Sequence, residues 1–358
     1  MRVTSGVQVR PHPELGIAAG HDSAGRHDEA INALARGTQA GDAACTKQLG
    51  VRLLTGDRAP LLPVQGLEFL AEACEKGEGE AAARAAGIIA LGANVPADWV
   101  AAMEWLRRAA SAGWVPAQQQ LLALCDDRAL AERAAAAAKV DWRQVVAAVD
   151  LAQWRRAPAA DIRSDNPRVS EFRSLLRPEL CRFFISLAPG RLQPAQVYDP
   201  VARTDIVVAH RNNTQAIFGL TTVEVAHVLL QARMAAACGI PALQMEAPAV
   251  LHYSPGEEIA NHFDFVDPKT TADYAGEIAR NGQRIITFLV YLNDDYDGGE
   301  TDFPELGINV KGRTGNGIYF VNALADLSPD LRMLHAGRPT TRGEKWLITQ
   351  FIRSRPIR

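Results

Sequence analysis

The chain has 358 residues, 47% apolar and 22% charged, with a formal net charge of −3. That is the balance of a folded chain with room for two or three domains, and it gives no basis for a broad nucleic-acid surface. No apolar run reaches the roughly 18 residues of a membrane span, and Met1-Arg2-Val3-Thr4-Ser5-Gly6 lacks the apolar stretch of a secretory signal. No membrane partner is expected. The five scattered cysteines (Cys45, Cys74, Cys125, Cys181, Cys238) argue against a disulfide framework or a Cys-based zinc site and fit a cytoplasmic location.

Residues 1–27, with Pro11, Pro13 and several glycines, show no periodicity and are expected to be a flexible tail. From residue 28 the chain repeats. At an offset of 36 residues, Gly41, Gly77 and Gly113 superpose, as do Leu34, Leu70 and Leu106. Ala33, Phe69 and Trp105 form a further register, and so do Cys45, Ala81 and Ala117. Gly37, Ala73 and Ala109 are all small. A period of this length with helical apolar spacing predicts stacked helix pairs, each unable to bury its own apolar face alone. Glycine at a fixed offset suits the left-handed residue that ends a helix. The copy "ALG…AMEWLRRAASAGWVPAQQQL", residues 90–121, resembles Sel1-like repeats, relatives of the tetratricopeptide type. An alanine-rich bundle whose repetition reflects composition is the competing reading. Residues 131–154 predict one or two further helices, closing a repeat region over 28–155.

The breakers Arg156-Ala157-Pro158 and Ser164-Asp165-Asn166-Pro167 predict a boundary, with a second domain over 168–358. Val169–Ala188 and Thr222–Cys238 read as helices. After about residue 242 the pattern changes to strands and turns. Ile285–Leu292, Gly317–Val321 and Trp346–Ile352 are β-branched and aromatic runs. Asn293-Asp294-Asp295 and Asp297-Gly298-Gly299 are turn chemistry, and the acidic residues there read as a solvated turn. Several short strands at close spacing predict a double-sheet jelly roll, making the whole an α+β multidomain chain with an N-terminal α-solenoid.

Within the β region, His262 and Asp264 are two residues apart, so an extended strand puts both side chains on one face. His335 follows about seventy residues later. Two imidazoles and a carboxylate without a thiolate are the donor set of a non-haem Fe(II) site with open positions. Lys345 lies among Trp346, Leu347 and Ile348, where a buried ammonium needs an anionic partner such as a dicarboxylate. Tyr253, nine residues before His262, and Thr287 and Tyr291, sharing a strand face, add two phenols and a hydroxyl. His252 points to the opposite face of its strand. Arg211, Arg284 and Trp346 are candidates to face a substrate, weighed against surface ion pairs and core packing.

The stretches "LHYSPGEEIANHFDF", "RIITFLVYLNDDYDGGETDFPELGINVKGRTGNGIYFVNA" and "LHAGRPTTRGEKWLITQFIR" resemble the prolyl 4-hydroxylase type of 2-oxoglutarate/Fe(II)-dependent dioxygenases in order, spacing and flanks. The resemblance covers about residues 170–355 and implies a double-stranded β-helix with flanking helices. By position it implies His262, Asp264 and His335 as iron ligands. It implies Lys345 as the partner of the distal carboxylate of 2-oxoglutarate, with Tyr253, Thr287 and Tyr291 contacting the same co-substrate. Fe(II), 2-oxoglutarate and O2 are the implied cofactors, with ascorbate as a further candidate. A protein or peptide substrate docked by the repeats, prolyl by family analogy, is one expectation. Hydroxylation of a free amino acid or other small metabolite, with repeats serving only assembly, is the alternative. A scaffold carrying an inactive oxygenase is a third, opposed by the intact triad and Lys345. Should Lys345 not be the anchor, Arg342 and Arg353 are the next cations.

Overall fold

The structure, a computed structural model, describes residues 12–195, 197–199, 204–206 and 211–357. It divides into two compact units, the first formed by Met1–Val149 with Leu220–Val225 and the second by Asp150–Gly219 with Ala226–Arg358.

The first unit opens with α1 (Pro13–Ser23) and continues as α2 (His27–Gln39), α3 (Ala43–Thr55), α4 (Pro63–Glu75), α5 (Gly79–Leu91), α6 (Trp99–Ser111) and α7 (Val115–Leu124). The starts of α2, α4 and α6 fall 36 residues apart, and so do those of α3, α5 and α7, so each repeat is one helix pair. Gly41, Gly77 and Gly113 follow the first helix of each pair with φ of +87°, +93° and +85°. The left-handed conformation is costly with a Cβ, so glycine lets the chain reverse there. Asp42 and Asp98 start α3 and α6 by accepting from the backbone N–H of Cys45 and Ala101. The small 37/73/109 register faces the small 45/81/117 register: a Cβ on Gly37 would lie 2.3 Å from Cys45 Sγ. α8 (Arg128–Ala136) and α9 (Trp142–Ala147) end the array. Within this unit Leu220–Val225 is held by a buried ion pair between Arg84 and Glu224, with Gln120 Nε2 donating to Glu224 at 3.0 Å.

One expectation fails at the start of the array. Residues 1–11 of the expected tail lie outside the described residues, but 13–23 form α1. Its apolar signal is weak, and the packing comes from Leu15 and Ala18 meeting α2 and α3 residues such as Leu34 and Leu49. Ion pairs of Glu14 with Arg36 and Asp22 with Arg52 tie it down.

The second unit begins with α10 (Leu151–Trp154) and the hairpin β1 (Ala160–Asp165) and β2 (Arg168–Phe172). Asn166 and Pro167 are the turn of this hairpin. The expected helix over Val169–Ala188 therefore splits into β2 and α11 (Pro178–Leu187). Residues 169–172 are drawn into the sheet by pairing with a strand about 150 residues away, a partner that local periodicity does not reveal. There follow β3 (Gln193–Pro194), β4 (Val197–Asp199), β5 (Thr204–Ile206), β6 (Thr214–Ile217) and α12 (Val225–Cys238). The remaining elements are β7 (Ala249–Tyr253), β8 (Ile259–His262), α13 (Tyr274–Asn281), β9 (Arg284–Tyr291), β10 (Asp297–Gly298), β11 (Thr301–Phe303), β12 (Ile308–Val310), β13 (Gly317–Val321), β14 (His335–Gly337), β15 (Thr340–Arg342) and β16 (Lys345–Arg353).

A large sheet runs β1-β2-β13-β9-β16-β7-β6-β3 and a smaller one β12-β11-β14-β8. All their pairings are antiparallel. The core lies between them: Leu251, Leu289, Phe320 and Leu347 of the large sheet meet Ile259, Phe303, Ile308 and Val310 of the small one. This is the expected double-sheet architecture. β16 is buried along nearly its whole length because it sits in the middle of the large sheet, which is why it reads as a continuous apolar run. Among the described residues, no helix is long and apolar enough to cross a membrane.

The α3–α4 crossing gives a stability test. A Cβ on Gly66 would meet the backbone N of Leu54 at 2.6 Å, whereas one on Gly16 in α1 meets nothing within 4 Å. Thermal denaturation is expected to show Gly66→Ala destabilised by about 1–3 kcal/mol. Gly16→Ala should instead gain up to about 1 kcal/mol, because alanine loses less backbone entropy in a helix.

Candidate metal centre

β8 and β14 are neighbours in the small sheet, and their register sets His262 directly opposite His335. The ring centroids are 4.3 Å apart. Asp264 follows two residues after the end of β8. Its carboxylate reaches both rings, with Oδ1 3.4 Å from His262 Nε2 and Oδ2 3.3 Å from His335 Nε2. One donor atom from each of the three lies within 4.8 Å of the others, and no other such group of His, Cys, Asp or Glu occurs among the described residues.

Each imidazole is oriented from behind. His262 Nδ1 lies 2.8 Å from the carbonyl of Ala260 and His335 Nδ1 3.0 Å from that of Met333. Since a carbonyl only accepts, both Nδ1 atoms carry a proton, and it is the two Nε2 atoms that face Asp264. Burial alone would raise Asp264, but the adjacent imidazoles outweigh it and hold the carboxyl well below its usual range. Two imidazole nitrogens and one carboxylate oxygen facing one point, with the other ring nitrogens anchored, fit a divalent first-row metal.

The triad opens onto a cavity lined by Tyr253, Thr301, Lys345, Arg211 and an apolar wall that includes Leu251, Leu289 and Phe351. Lys345 starts β16 directly opposite Tyr253 of β7. Its Nζ stands 4.9 Å from the Tyr253 ring centroid, and among the described residues no carboxylate lies within ion-pair distance. Burial, aided by nearby Lys311 and opposed by Glu300, pulls the ammonium down to about 7. The turn after β10 packs on the stem of this side chain. Gly299 has φ +68°, and a Cβ there would fall 3.1 Å from Lys345 Cδ. Glycine is the residue that fits.

The other candidates separate clearly. Thr287 lies behind Asp264 and not on the cavity: its hydroxyl donates to Asp264 Oδ2 at 2.8 Å. Tyr291 is also set back, sharing a 2.8 Å hydrogen bond with the Thr301 hydroxyl, and it is Thr301 that lines the cavity. These two positions share the expected strand face, and neither lines the cavity. Thr301 stood in the sequence two residues after the paired glycines and carried no separate signal. Arg284 pairs with Glu246 and stacks on Phe351, while Trp346 packs on His252, away from the cavity. Arg353 is engaged by Glu246 and Glu277, and exposed Arg342 by Asp297, so neither is a spare cation for the cavity. Arg211 does line it, with its Nε buried and unpartnered. Asp294 and Asp297 form turn contacts with Thr314 and Arg342.

Comparison with known proteins places this geometry. Residues 248–353 match the 2OG-Fe(II) oxygenase superfamily. Prolyl 4-hydroxylase 1 of Arabidopsis thaliana is 32% identical over 211 residues, which cover 54% of this chain and 72% of that protein. A viral collagen prolyl hydroxylase of Paramecium bursaria Chlorella virus-1, solved with 2OG, is 25% identical with a TM-score of 0.41, covering 52% of this chain and 96% of its own. A Sel1 repeat protein from Oxalobacter formigenes is 28% identical with a TM-score of 0.25, covering 32% and 94% respectively. With the matched stretch running from β7 through β16 and carrying the triad and Lys345, the chain belongs to the prolyl 4-hydroxylase family of 2-oxoglutarate/Fe(II) dioxygenases, enzymes that use Fe(II), 2-oxoglutarate and O2.

Proposed function

We propose that His262, Asp264 and His335 hold the iron, that Lys345 anchors the distal carboxylate of 2-oxoglutarate, and that the substrate is a prolyl residue in a protein or peptide. The single observation that carries the reading is the convergence of three donor atoms and an unpaired buried ammonium on one cavity. When bound, the iron and its co-substrate supply the oxidising chemistry: 2-oxoglutarate is decarboxylated to succinate, and one oxygen atom of O2 enters a substrate C–H bond. The protein residues supply orientation. Lys345 offers a charge-assisted hydrogen bond, and Tyr253 and Thr301 line the same cavity. Leu251, Leu289 and Phe351 give an apolar wall suited to an aliphatic ring and limit water near the reacting atoms.

Similarity to prolyl 4-hydroxylases supports the prolyl assignment. Arg211 favours a second reading. Its guanidinium lines the cavity with Nε unpartnered, and a free amino acid would bring it a carboxylate. We assign the helical array the task of docking a protein substrate, since solenoids present extended surfaces. The unpaired cysteines support a cytoplasmic setting. Succinate release with Fe(II), 2-oxoglutarate and either proline-containing peptides or a free amino-acid panel separates the substrate readings. Turnover confined to free amino acids overturns the prolyl-peptide assignment. A docking role requires a lower KM for an intact protein substrate than for the short peptide cut from it, and equal values would count against it.

The triad and the anchor are tested separately. Asp264→Ala removes one donor and is expected to abolish metal retention and turnover together, with circular dichroism unchanged. Near-normal turnover would refute the triad. Lys345→Ala forfeits a charge-assisted hydrogen bond of about 1.5–3 kcal/mol, which at about 1.4 kcal/mol per decade raises the apparent constant for 2-oxoglutarate about 10- to 150-fold. Metal affinity should be unaffected.

The lowered Lys345 also predicts a pH profile. Burial favours the neutral amine, so in the free site the ammonium is lost as pH rises through about 7. Carboxylate binding needs the charged form, so KM for 2-oxoglutarate should climb between pH 7 and 9, by at most about tenfold per unit. Arginine stays charged throughout. Lys345→Arg should therefore bind 2-oxoglutarate less tightly at pH 6.5 but with a flat profile, read from initial rates at saturating O2.

A further inference from the structure

Behind the triad lie two polar residues that do not line its cavity. Thr287 in the middle of β9 and Asn322 just after β13 are both fully buried. The Thr287 hydroxyl donates to Asp264 Oδ2 at 2.8 Å, and Asn322 Nδ2 donates to Thr287 Oγ1 at 2.9 Å. A hydroxyl has one proton. With the amide of Asn322 filling one lone pair of the threonine oxygen, that proton is committed to the carboxylate.

Both residues are rigidly placed. Thr287 is paired with Phe320 on one side and Phe351 on the other, in the interior of the large sheet. The Asn322 backbone donates to Ile285 O at 2.8 Å and accepts from Asp330 N at 3.0 Å. Asp264, by contrast, lies beyond the last residue of β8, where no ladder holds its backbone. The Oδ1 of Asn322 is buried without a partner, so the one polar contact its side chain makes is the donation to Thr287. A buried amide that leaves its own acceptor unsatisfied is costly, and here it orients a hydroxyl that touches the carboxylate.

We infer that Thr287 and Asn322 are positioning residues for the metal-binding carboxylate: they commit Asp264 Oδ2 to the protein and leave Oδ1 as the ligand oxygen. The inference rests on the triad reading of the preceding subsection and deepens it. It reassigns Thr287 from a co-substrate contact to a support for Asp264.

The test uses the full chain with Co(II) as probe, its binding followed by calorimetry and by visible absorption. Removing a group that orients a ligand typically lowers metal affinity about 10- to 100-fold, and that loss is expected for Thr287→Val, with a changed Co(II) spectrum. Thr287→Ser keeps the hydroxyl and should stay within about threefold of wild type, which separates the hydrogen bond from packing. Adding Asn322→Ala to Thr287→Val should cost nothing further, because Asn322 acts through the hydroxyl. Wild-type affinity in Thr287→Val, or equal losses in the Val and Ser variants, overturns the inference. If either occurs while Asp264→Ala abolishes binding, the triad stands without this support. Wild-type affinity in Asp264→Ala overturns the triad itself. Should Thr287→Val fail to fold, Asn322→Ala decides: a loss of more than about threefold is expected, and wild-type affinity overturns the inference.

Discussion

The antiparallel register between β8 and β14 is the constraint on which the site depends. It sets His262 opposite His335, and a slip of one residue would turn one imidazole to the other face of the sheet. The register is held from several directions. β11 pairs Thr301 with Gly337 on the far side of β14, and Ile259, Phe303 and Met333 lock the small sheet onto the large one. The Nδ1 contacts then fix the rings within that frame, each to a carbonyl two residues earlier in the chain. The donor set is thus a consequence of strand pairing, with side-chain hydrogen bonds adding orientation.

The two buried cations of β16 have opposite surroundings. Lys345 and Arg353 lie on the same strand eight residues apart, and both are almost wholly buried. Arg353 is neutralised within the protein by Glu246 and Glu277, and Arg284 joins the same carboxylate of Glu246. That cluster is self-contained and structural. Lys345 has tyrosine and glycine neighbours in place of a carboxylate, so its ammonium is disfavoured until an anion arrives. Desolvation without compensation is the observation behind the anchoring role proposed for Lys345.

The helical unit obeys a different rule. Its helices recur at 36 residues because the same small residues, caps and glycine turns recur there, and each pair needs its neighbour to cover an apolar face. Close crossings at Gly37 and Gly66 leave no space for larger side chains. None of these residues belongs to the donor group or lines the cavity.

Periodicity and spacing determined the repeat and the long strands β9, β13 and β16, while His262, Asp264, His335 and Lys345 stood out by residue type and took their expected roles from the family resemblance. The repeat and the strands are written in local patterns: a 36-residue recurrence and continuous apolar runs. The helix α1, the strand at Arg168–Phe172 and the division of labour among the hydroxyls were decided by tertiary structure. α1 has too little apolar contrast to announce itself and is stabilised by α2 and α3. β2 exists because β13 is beside it. The spacing of Thr287 and Tyr291 placed both on one face, but whether a hydroxyl on that face meets a carboxylate, another hydroxyl or open space depends on segments 10 to 35 residues away in the chain. Side-chain direction is a property of the strand; the identity of what it meets is a property of the register, and register is settled only when the two sheets close on their shared core.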